Sequence, residues 1–183
     1  MMKTYICLLR GINVSGHKII KMAALRDSFE GLGFENTTTY IQSGNIVFKS
    51  NKNGVKELQK IIHQMLLNDY GFDITVIVLR PHELKKASEN NPFEKDSTKD
   101  PKKFYIVFLQ EQPHQENIEK LLEVDYRPEE FVIGHKTIYF YAANGAHKSK
   151  MGNNFFENKL KVKATSRNWR TVQKLLEMTR QAV

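Results

Sequence analysis

The stretch "TTTYIQSGNIVFKS", residues 37–50, contains the clearest fold signal of the chain. Two runs rich in β-branched and aromatic residues, 37–41 and 46–49, flank the turn-forming residues 43–45. Strand-like runs separated by a few turn residues are typical of a β-hairpin. The sequence therefore predicts two neighbouring antiparallel strands here.

On both sides of this hairpin, apolar residues recur with the periods of strands and helices. Residues 5–12 and 73–79 are short apolar runs, as in buried strands. Between these runs and the hairpin lie two stripes at the three-and-four spacing of a helix face. The stripes consist of Met22, Leu25, Phe29 and Leu32, and of Val55, Leu58, Ile62 and Met65. Gly33 is placed to end the first helix in a left-handed turn, so the first half has the order βαββαβ.

The second half begins with a short helix, residues 81–91, and then repeats most of this order. The predicted elements are a strand at 103–109, a helix at 115–124, a hairpin at 129–143 that turns at Gly134 and His135, and a helix at 148–162. In the helix at 115–124, Ile118, Leu121 and Leu122 are expected to face inward. No fourth strand is evident before the last helix.

These two halves predict an α+β fold made of two ferredoxin-like, βαββαβ-like subdomains packed together. The predicted first subdomain covers residues 1–80 and the second covers residues 104–183, including the C-terminal helix. Residues 81–103 form the connecting segment with its short helix, because prolines and balanced charges are mixed there.

Composition limits the class of protein. The chain has 183 residues and one cysteine, Cys7, which excludes an internal disulfide and a cysteine-based zinc cluster. Since no apolar run approaches the length of a membrane span, we expect a cytoplasmic protein with no membrane partner. The formal net charge is +8. Nine basic and two acidic residues in 141–183 give this segment +7, and six basic and three acidic residues give 1–50 a charge of +3. Such a surface attracts phosphates or acidic partners, or serves only solubility.

Two loops have the composition of a binding site. "GINVSGHK", residues 11–18, joins a strand to a helix and contains two glycines, but it lacks the Walker pattern. It is either a plain connection or a loop that offers backbone N–H groups to an anion. Gln42, Ser43 and Asn45 are either turn residues or neutral polar groups for a ligand.

Catalytic and metal-binding patterns do not stand out. The six histidines show neither HxxxH nor HExxH spacing, and there is no GxSxG sequence. The catalytic residues are therefore unknown, no metal or cofactor is predicted, and whether the protein is an enzyme stays open.

The start of the last helix, "TSRNWRTVQKL" at residues 165–175, combines two arginines with the only tryptophan. We expect Trp169 to pack in the core on a stripe with Val172, Leu175, Leu176 and Thr179. Thr165 or Ser166 is expected to cap the helix. Arg167 in the first turn would oppose the helix dipole unless it binds an anion or a carboxylate.

These stretches resemble the bacterial family known as domain of unknown function 1697. The chain departs from the family pattern at three positions: Ser15 replaces the usual glycine, Ser166 the usual threonine and Arg170 the usual asparagine. The matching motifs span nearly the whole chain: LLRGINV (8–14), IKM (20–22), LGF (32–34), TYIQSGNIVF (39–48), NPF (91–93), SKM (149–151) and ATSRNWRTVQKL (164–175). The resemblance implies two α+β subdomains similar to the ferredoxin-like fold, and it implies no activity, cofactor or partner.

The polar residues that the chain shares with the family pattern form the predicted ligand-binding set. They are Arg10, Asn13, Lys21, Gln42, Ser43, Asn45, Lys150, Arg167 and Asn168. Because these residue types suit hydrogen bonds to phosphate or carboxylate, the first expectation is a phosphate-bearing ligand, nucleotide or nucleic acid, in a basic cleft between the subdomains. An enzyme for a small anionic substrate and an interaction scaffold for an acidic partner are the alternatives, and the oligomeric state stays open.

Overall fold

The computed structural model describes residues 1–181, which form two compact units. The first unit comprises Met1–Lys85 together with the chain from Gln173 onward, and the second comprises Lys86–Val172. The segment from Gln173 thus groups with the first unit, whereas the sequence had assigned it to the second subdomain. Residues 182 and 183, which that predicted subdomain included, lie outside the described residues. No helix within residues 1–181 is long and apolar enough to cross a membrane.

The first unit contains one four-stranded antiparallel sheet and the helices that accompany it. Its elements are β1 (Lys3–Leu9), α1 (Met22–Gly31), β2 (Glu35–Tyr40), β3 (Asn45–Ser50), α2 (Val55–Tyr70) and β4 (Val76–Leu79), followed by α3 (Pro81–Glu89). The strand order is β2-β3-β1-β4, so the first strand is central and β2 and β4 are edges. The predicted βαββαβ order of this half is confirmed.

The core of the first unit lies where α1 and α2 cover one face of this sheet. Phe29 of α1, Ile62 of α2 and Phe48 of β3 are fully buried there, and the Phe29 and Phe48 rings meet edge to face at 5.4 Å. Burial of large apolar side chains contributes about 1.5–3 kcal/mol each, so these predicted stripes hold the helices on the sheet. Gly33 adopts a φ of 76° directly after α1, as predicted for the end of this helix.

The second unit repeats the sheet order of the first. Two short 3-10 helices, Pro92–Lys95 and Pro101–Lys103, precede β5 (Phe104–Leu109), α4 (Gln115–Leu122), β6 (Glu130–Ile133), β7 (Thr137–Tyr141), α5 (Asn153–Leu160), β8 (Ala164–Asn168) and α6 (Trp169–Gln181). The strands are antiparallel in the order β6-β7-β5-β8. The fold is therefore α+β with two ferredoxin-like subdomains, as the sequence predicts.

The prediction that the second half lacks its fourth strand was wrong. Residues 164–168 form β8, which pairs with β5 so that Thr165 lies opposite Phe108 and Arg167 opposite Ile106. The polar sequence "ATSRN" lacks the alternation of apolar and polar residues that is typical of a strand. Its backbone N–H and C=O groups are instead hydrogen-bonded in the ladder to β5. Pairing with a neighbouring strand decides the conformation here against local composition.

Two side-chain placements also differ from the sequence prediction. Leu122, expected to face inward, is 58% exposed, because α4 ends at this residue and buries only Ile118 and Leu121. Trp169, expected in the core, is only half-buried, and its ring edge meets Phe104 at a centroid distance of 6.4 Å.

Candidate functional site

The β1–α1 connection and the β2–β3 turn meet at one end of the first sheet. The backbone N–H of Leu9 donates to the oxygen of Gly44 at 2.8 Å. The Nδ2 of Asn13 donates to the carbonyl oxygens of Gln42 (2.8 Å) and Ile20 (3.0 Å), and its Oδ1 accepts from the N–H of Ile20 at 2.8 Å. One amide side chain thus joins the β1–α1 connection to the β2–β3 turn through three backbone groups.

The β1–α1 connection is a compact loop held by its own backbone. Five of its residues have φ between 48° and 76°, in the left-handed region: Gly11, Asn13, Ser15, Gly16 and Lys18. The N–H of His17 donates to the oxygen of Val14 at 2.9 Å, and that of Asn13 donates to the oxygen of Lys18 at 3.1 Å. Glycine and asparagine adopt this conformation at low cost, so the residue types match the loop geometry at Gly11, Asn13 and Gly16, whereas Ser15 and Lys18 are held in it by the surrounding structure.

Asn45 and Ser43 of the predicted set serve the β2–β3 turn itself. Asn45 is fully buried, and its Nδ2 donates to the oxygen of Tyr40 at 3.1 Å and to the Oγ of Ser43 at 2.9 Å. Gln42 is exposed, so its side chain is accessible next to the segment that Asn13 joins. Of the three turn residues in the predicted set, Gln42 is the one best placed to meet a ligand.

The backbone of this turn is under constraint at two positions. A Cβ atom at Gly44 would lie 2.6 Å from the Cβ of Leu9, so the close approach of the turn to β1 requires glycine. Ile41 has a φ of 48° although its side chain is β-branched and 51% exposed. A non-glycine residue in this region costs about 1–3 kcal/mol and persists only when the surrounding structure imposes it. The turn geometry is therefore imposed by the sheet and the adjoining loop.

Three basic residues belong to the same loop region. Arg10 is half-buried, and its backbone N–H donates to the oxygen of Thr75 at 3.1 Å. The Nζ of Lys18 donates to the backbone oxygen of Asp73 at 2.6 Å. Lys21 is exposed at the N-cap of α1, where no side chain caps the helix within the described residues and the first turn has no acidic residue. The N–H groups of a helix start carry partial positive charge, so this end of α1 favours an anion.

Arg167 lies in the second unit and does not belong to a helix, so its predicted place in the first helical turn was wrong. Its side chain lies on β8 and is 7% exposed. The Nη1 donates to the Oγ1 of Thr165 at 2.7 Å and to the oxygen of Ser166 at 2.8 Å. The argument that this arginine opposes the helix dipole therefore does not apply.

Asn168 and Lys150, the other predicted residues of the second unit, differ in their surroundings. The Oδ1 of Asn168 accepts from the N–H of Thr171 at 2.8 Å, which caps α6. The cap had been predicted at Thr165 or Ser166, and this was wrong because both residues are part of β8. Lys150 is exposed in the loop that precedes α5.

The structure brings six of the nine predicted residues to one end of the first sheet. They are Arg10, Asn13, Lys21, Gln42, Ser43 and Asn45, and together with Lys18 we call this region the loop-pair site. Lys18 lies in the loop that the sequence indicates as a possible anion site but is not in the predicted set, because only its contact with Asp73, 55 residues away, reveals its position. The predicted convergence with Lys150, Arg167 and Asn168 stays a prediction. Within residues 1–181, no group of three or more His, Cys, Asp or Glu side chains could hold a metal ion.

Comparison with known proteins agrees with this fold. The family model described as "Protein of unknown function (DUF1697)" matches residues 2–139. Among solved structures, the chain is similar to conserved bacterial protein SP0830 from Streptococcus pneumoniae, with 24% sequence identity and a TM-score of 0.76. The similarity covers 98% of this chain and 99% of that protein. No curated protein matches the chain.

Proposed function

The chain belongs to the DUF1697 family of proteins of unknown function, and from its loop-pair site we propose that it binds a phosphate-bearing ligand, either a nucleotide or a nucleic acid. The observation that supports this proposal is the double contact of Asn13 with Gln42 and Ile20. Because the two loops are joined through one side chain, the basic and amide groups on them are presented from a fixed backbone. Preorganised donors bind an anion without the entropy cost of ordering loose loops.

The chemistry of the loop-pair site favours an anion over a cation. Lys21 and the uncapped start of α1 provide positive charge, and Gln42 provides an exposed amide. Backbone N–H groups at a helix start combined with a nearby lysine are a recurrent way to hold phosphate. The charge of +3 on residues 1–50 adds a long-range attraction for the same ligands. The proposal includes a cytoplasmic location, where nucleotides and nucleic acids are available.

Thermal-shift titration with inorganic phosphate, sulfate and adenosine monophosphate tests this proposal. We expect millimolar concentrations of at least one of these anions to raise the Tm of the wild type, because a ligand that binds only the folded state stabilises it. Lys21→Ala should lose this rise. Lys56→Ala is the matched control, since Lys56 is also exposed at the start of a helix, α2, but is followed by Glu57. Absence of a shift with all three anions would refute the proposal.

Salt dependence distinguishes the two ligand classes. A single-stranded nucleic acid bound through several phosphates should lose affinity steeply as salt concentration rises, with a slope of log K against log salt concentration of about −0.7 per phosphate neutralised. A mononucleotide should show the shallow slope of one or two contacts. Binding of a single-stranded oligonucleotide and of adenosine monophosphate, each measured from low to high salt, therefore identifies the class.

A further inference from the structure

A groove of about 630 Å³ runs between α4 and the edge of the sheet in the second unit. Its helix wall consists of Gln115, Ile118 and Leu122, spaced three and four residues apart on one face of α4. Its sheet wall consists of the three consecutive β6 residues Phe131, Val132 and Ile133. Consecutive side chains of a strand point to opposite faces of the sheet, so a groove that contacts three residues in a row follows the edge of that strand.

The backbone of β6 offers free hydrogen-bonding groups to this groove. Among the described residues, β6 pairs with β7 alone, and the N–H of Gly134 donates to the oxygen of Thr137 at 2.8 Å. In an antiparallel pair, every second residue exchanges backbone hydrogen bonds with the partner strand. Counting from the Gly134–Thr137 bond, Val132 is hydrogen-bonded to β7, whereas the N–H and C=O groups of Phe131 and Ile133 point away from β7. Within residues 1–181, no backbone partner reaches these four groups.

Apolar side chains remain exposed beside this open edge. Leu122 is 58% exposed and Val132 is 43% exposed. Edge strands are usually protected by a bulge, a proline or charged side chains, since an open apolar edge pairs readily with another strand. The β6–β7 register is continuous from Glu130 to Ile133, without a bulge. An edge with these properties is suited to accept an additional strand.

The charge around the groove specifies the kind of strand. Residues 111–133, which include both walls, contain seven acidic and two basic residues, a net −5 in a chain of net +8. Both basic residues are ion-paired, Lys120 with Glu116 and Arg127 with Asp125, each at 2.6 Å, and Lys99 from outside this segment pairs with Glu130. These three ion pairs leave a net −4, from Glu111, Glu119, Glu123 and Glu129. A basic segment is therefore complementary to this region. Two copies of the chain joined through β6 would bring two such acidic segments together, which disfavours self-pairing.

We propose that the groove between α4 and β6 binds an extended, lysine- or arginine-containing segment of a partner protein, which adds to β6 as a fifth strand of the second sheet. Its backbone bonds to Phe131 and Ile133, and its alternate apolar side chains enter between Ile118 and Leu122. The backbone hydrogen bonds fix the register of the added strand, and the groove selects the partner by its alternate side chains. This surface lies in the second unit and is independent of the loop-pair site.

The test uses the whole chain and three synthetic hexapeptides, followed by NMR. The first alternates lysine and valine, the second alternates glutamate and valine, and the third is the first with all of its backbone amides N-methylated, which blocks both alternate sets of N–H groups. We expect the lysine peptide to bind at least tenfold more tightly than the glutamate peptide, and the N-methylated peptide not to bind. In the complex with the lysine peptide, solvent exchange of the Phe131 and Ile133 amides should slow at least tenfold, whereas that of the Val132 amide should change little.

Leu122→Gln should weaken binding of the lysine peptide at least tenfold without affecting the fold, since its side chain is largely exposed. Leu67→Gln is the matched control, because Leu67 is an exposed leucine of α2 in the first unit. The proposal is overturned if no peptide binds at millimolar concentration, if the glutamate peptide binds equally well, or if the amide changes lie away from β6. Concentration-dependent dimerisation that protects the same amides would assign this edge to a second copy and overturn it too.

Discussion

The Nδ2 of Asn13 and the carbonyl oxygen of Gln42 are 2.8 Å apart, although 29 residues separate them along the chain. Loss of this bond and of the two bonds to Ile20 should loosen both loops. We expect Asn13→Ala to lower the free energy of unfolding by about 3–4 kcal/mol, since each of the three hydrogen bonds contributes about 1 kcal/mol and alanine at a φ of 54° adds about 1 kcal/mol of strain. Urea unfolding measures this change.

Asn13→Gly separates the two causes in that prediction. Glycine accepts the left-handed φ of position 13 and removes the same side-chain bonds. Asn13→Gly should therefore be about 1 kcal/mol more stable than Asn13→Ala. Equal stabilities of the two variants would contradict a contribution from backbone strain, and wild-type stability of both would contradict the role of the hydrogen bonds.

Ile41→Gly should stabilise the protein, an unusual result for the removal of a large side chain. Ile41 has a φ of 48° and is half exposed, so glycine relieves the strain and loses little burial. The expected gain is about 1 kcal/mol in the free energy of unfolding. Ile19→Gly is the control, because Ile19 is 58% exposed without a positive φ, and it should be destabilised by about 0.5–1 kcal/mol. A loss at both positions would show that the turn is not strained.

Asn168→Ala should destabilise α6 by removing its cap. The bond from the N–H of Thr171 to the Oδ1 of Asn168 satisfies a helix-start donor, and such caps contribute about 1 kcal/mol. Asn168→Asp should retain most of this stability. Ser166→Ala, at a residue that the sequence had favoured as a cap, should change the free energy of unfolding by less than about 0.5 kcal/mol. A larger loss of stability for Ser166→Ala than for Asn168→Ala would show that Ser166 of β8, and not Asn168, caps α6.

Trp169→Ala should cost less than truncation of the phenylalanine that Trp169 contacts. Phe104 is 1% exposed, and its replacement by alanine should cost about 3–5 kcal/mol. Trp169 is half-buried, so about 1–2 kcal/mol is expected from its smaller buried area. Thermal or urea unfolding of both variants compares these values directly. A larger loss for Trp169 would identify it as the core anchor that its sequence position suggests.

Asp125 should respond to acid in a way that depends on Arg127. Hydrogen bonds from the Arg127 side chain and backbone lower the pKa of Asp125 from 3.8 to about 2. A lowered folded-state pKa stabilises the fold above the unfolded value of 3.8, and this contribution disappears as pH falls toward 2. NMR titration should report the low pKa in the wild type and a higher pKa, still below the usual value, in Arg127→Gln, because the backbone N–H of residue 127 still donates to Asp125 in this variant. An unchanged pKa in this variant would exclude the Arg127 side chain as the main cause.

The sequence predicted the fold better than it predicted the site. Apolar periodicity identified the helices of both units and the hairpin around Gly44, because burial of one face produces that periodicity. It missed β8, whose polar residues are ordered by the ladder to β5. The polar motif residues were found as a set, but their roles depend on long-range contacts. Asn45 is buried in the turn, Asn168 caps a helix, and the contact of Lys18 with Asp73 has no local signal.

The first unit is made of two chain segments that leave the ribosome before and after the second unit. Residues from Gln173 onward belong to it, and all of Lys86–Val172 is synthesised in between. The second unit is continuous, so its strands can pair as soon as β8 has emerged. During translation, residues 1–85 therefore emerge with all four strands and the core of the first sheet before the second unit has been synthesised. Domains usually fold in the order of their synthesis, so a nascent chain arrested before Gln173 should contain a folded first sheet that exposes the surface beside which Lys174 and Met178 lie in the finished chain.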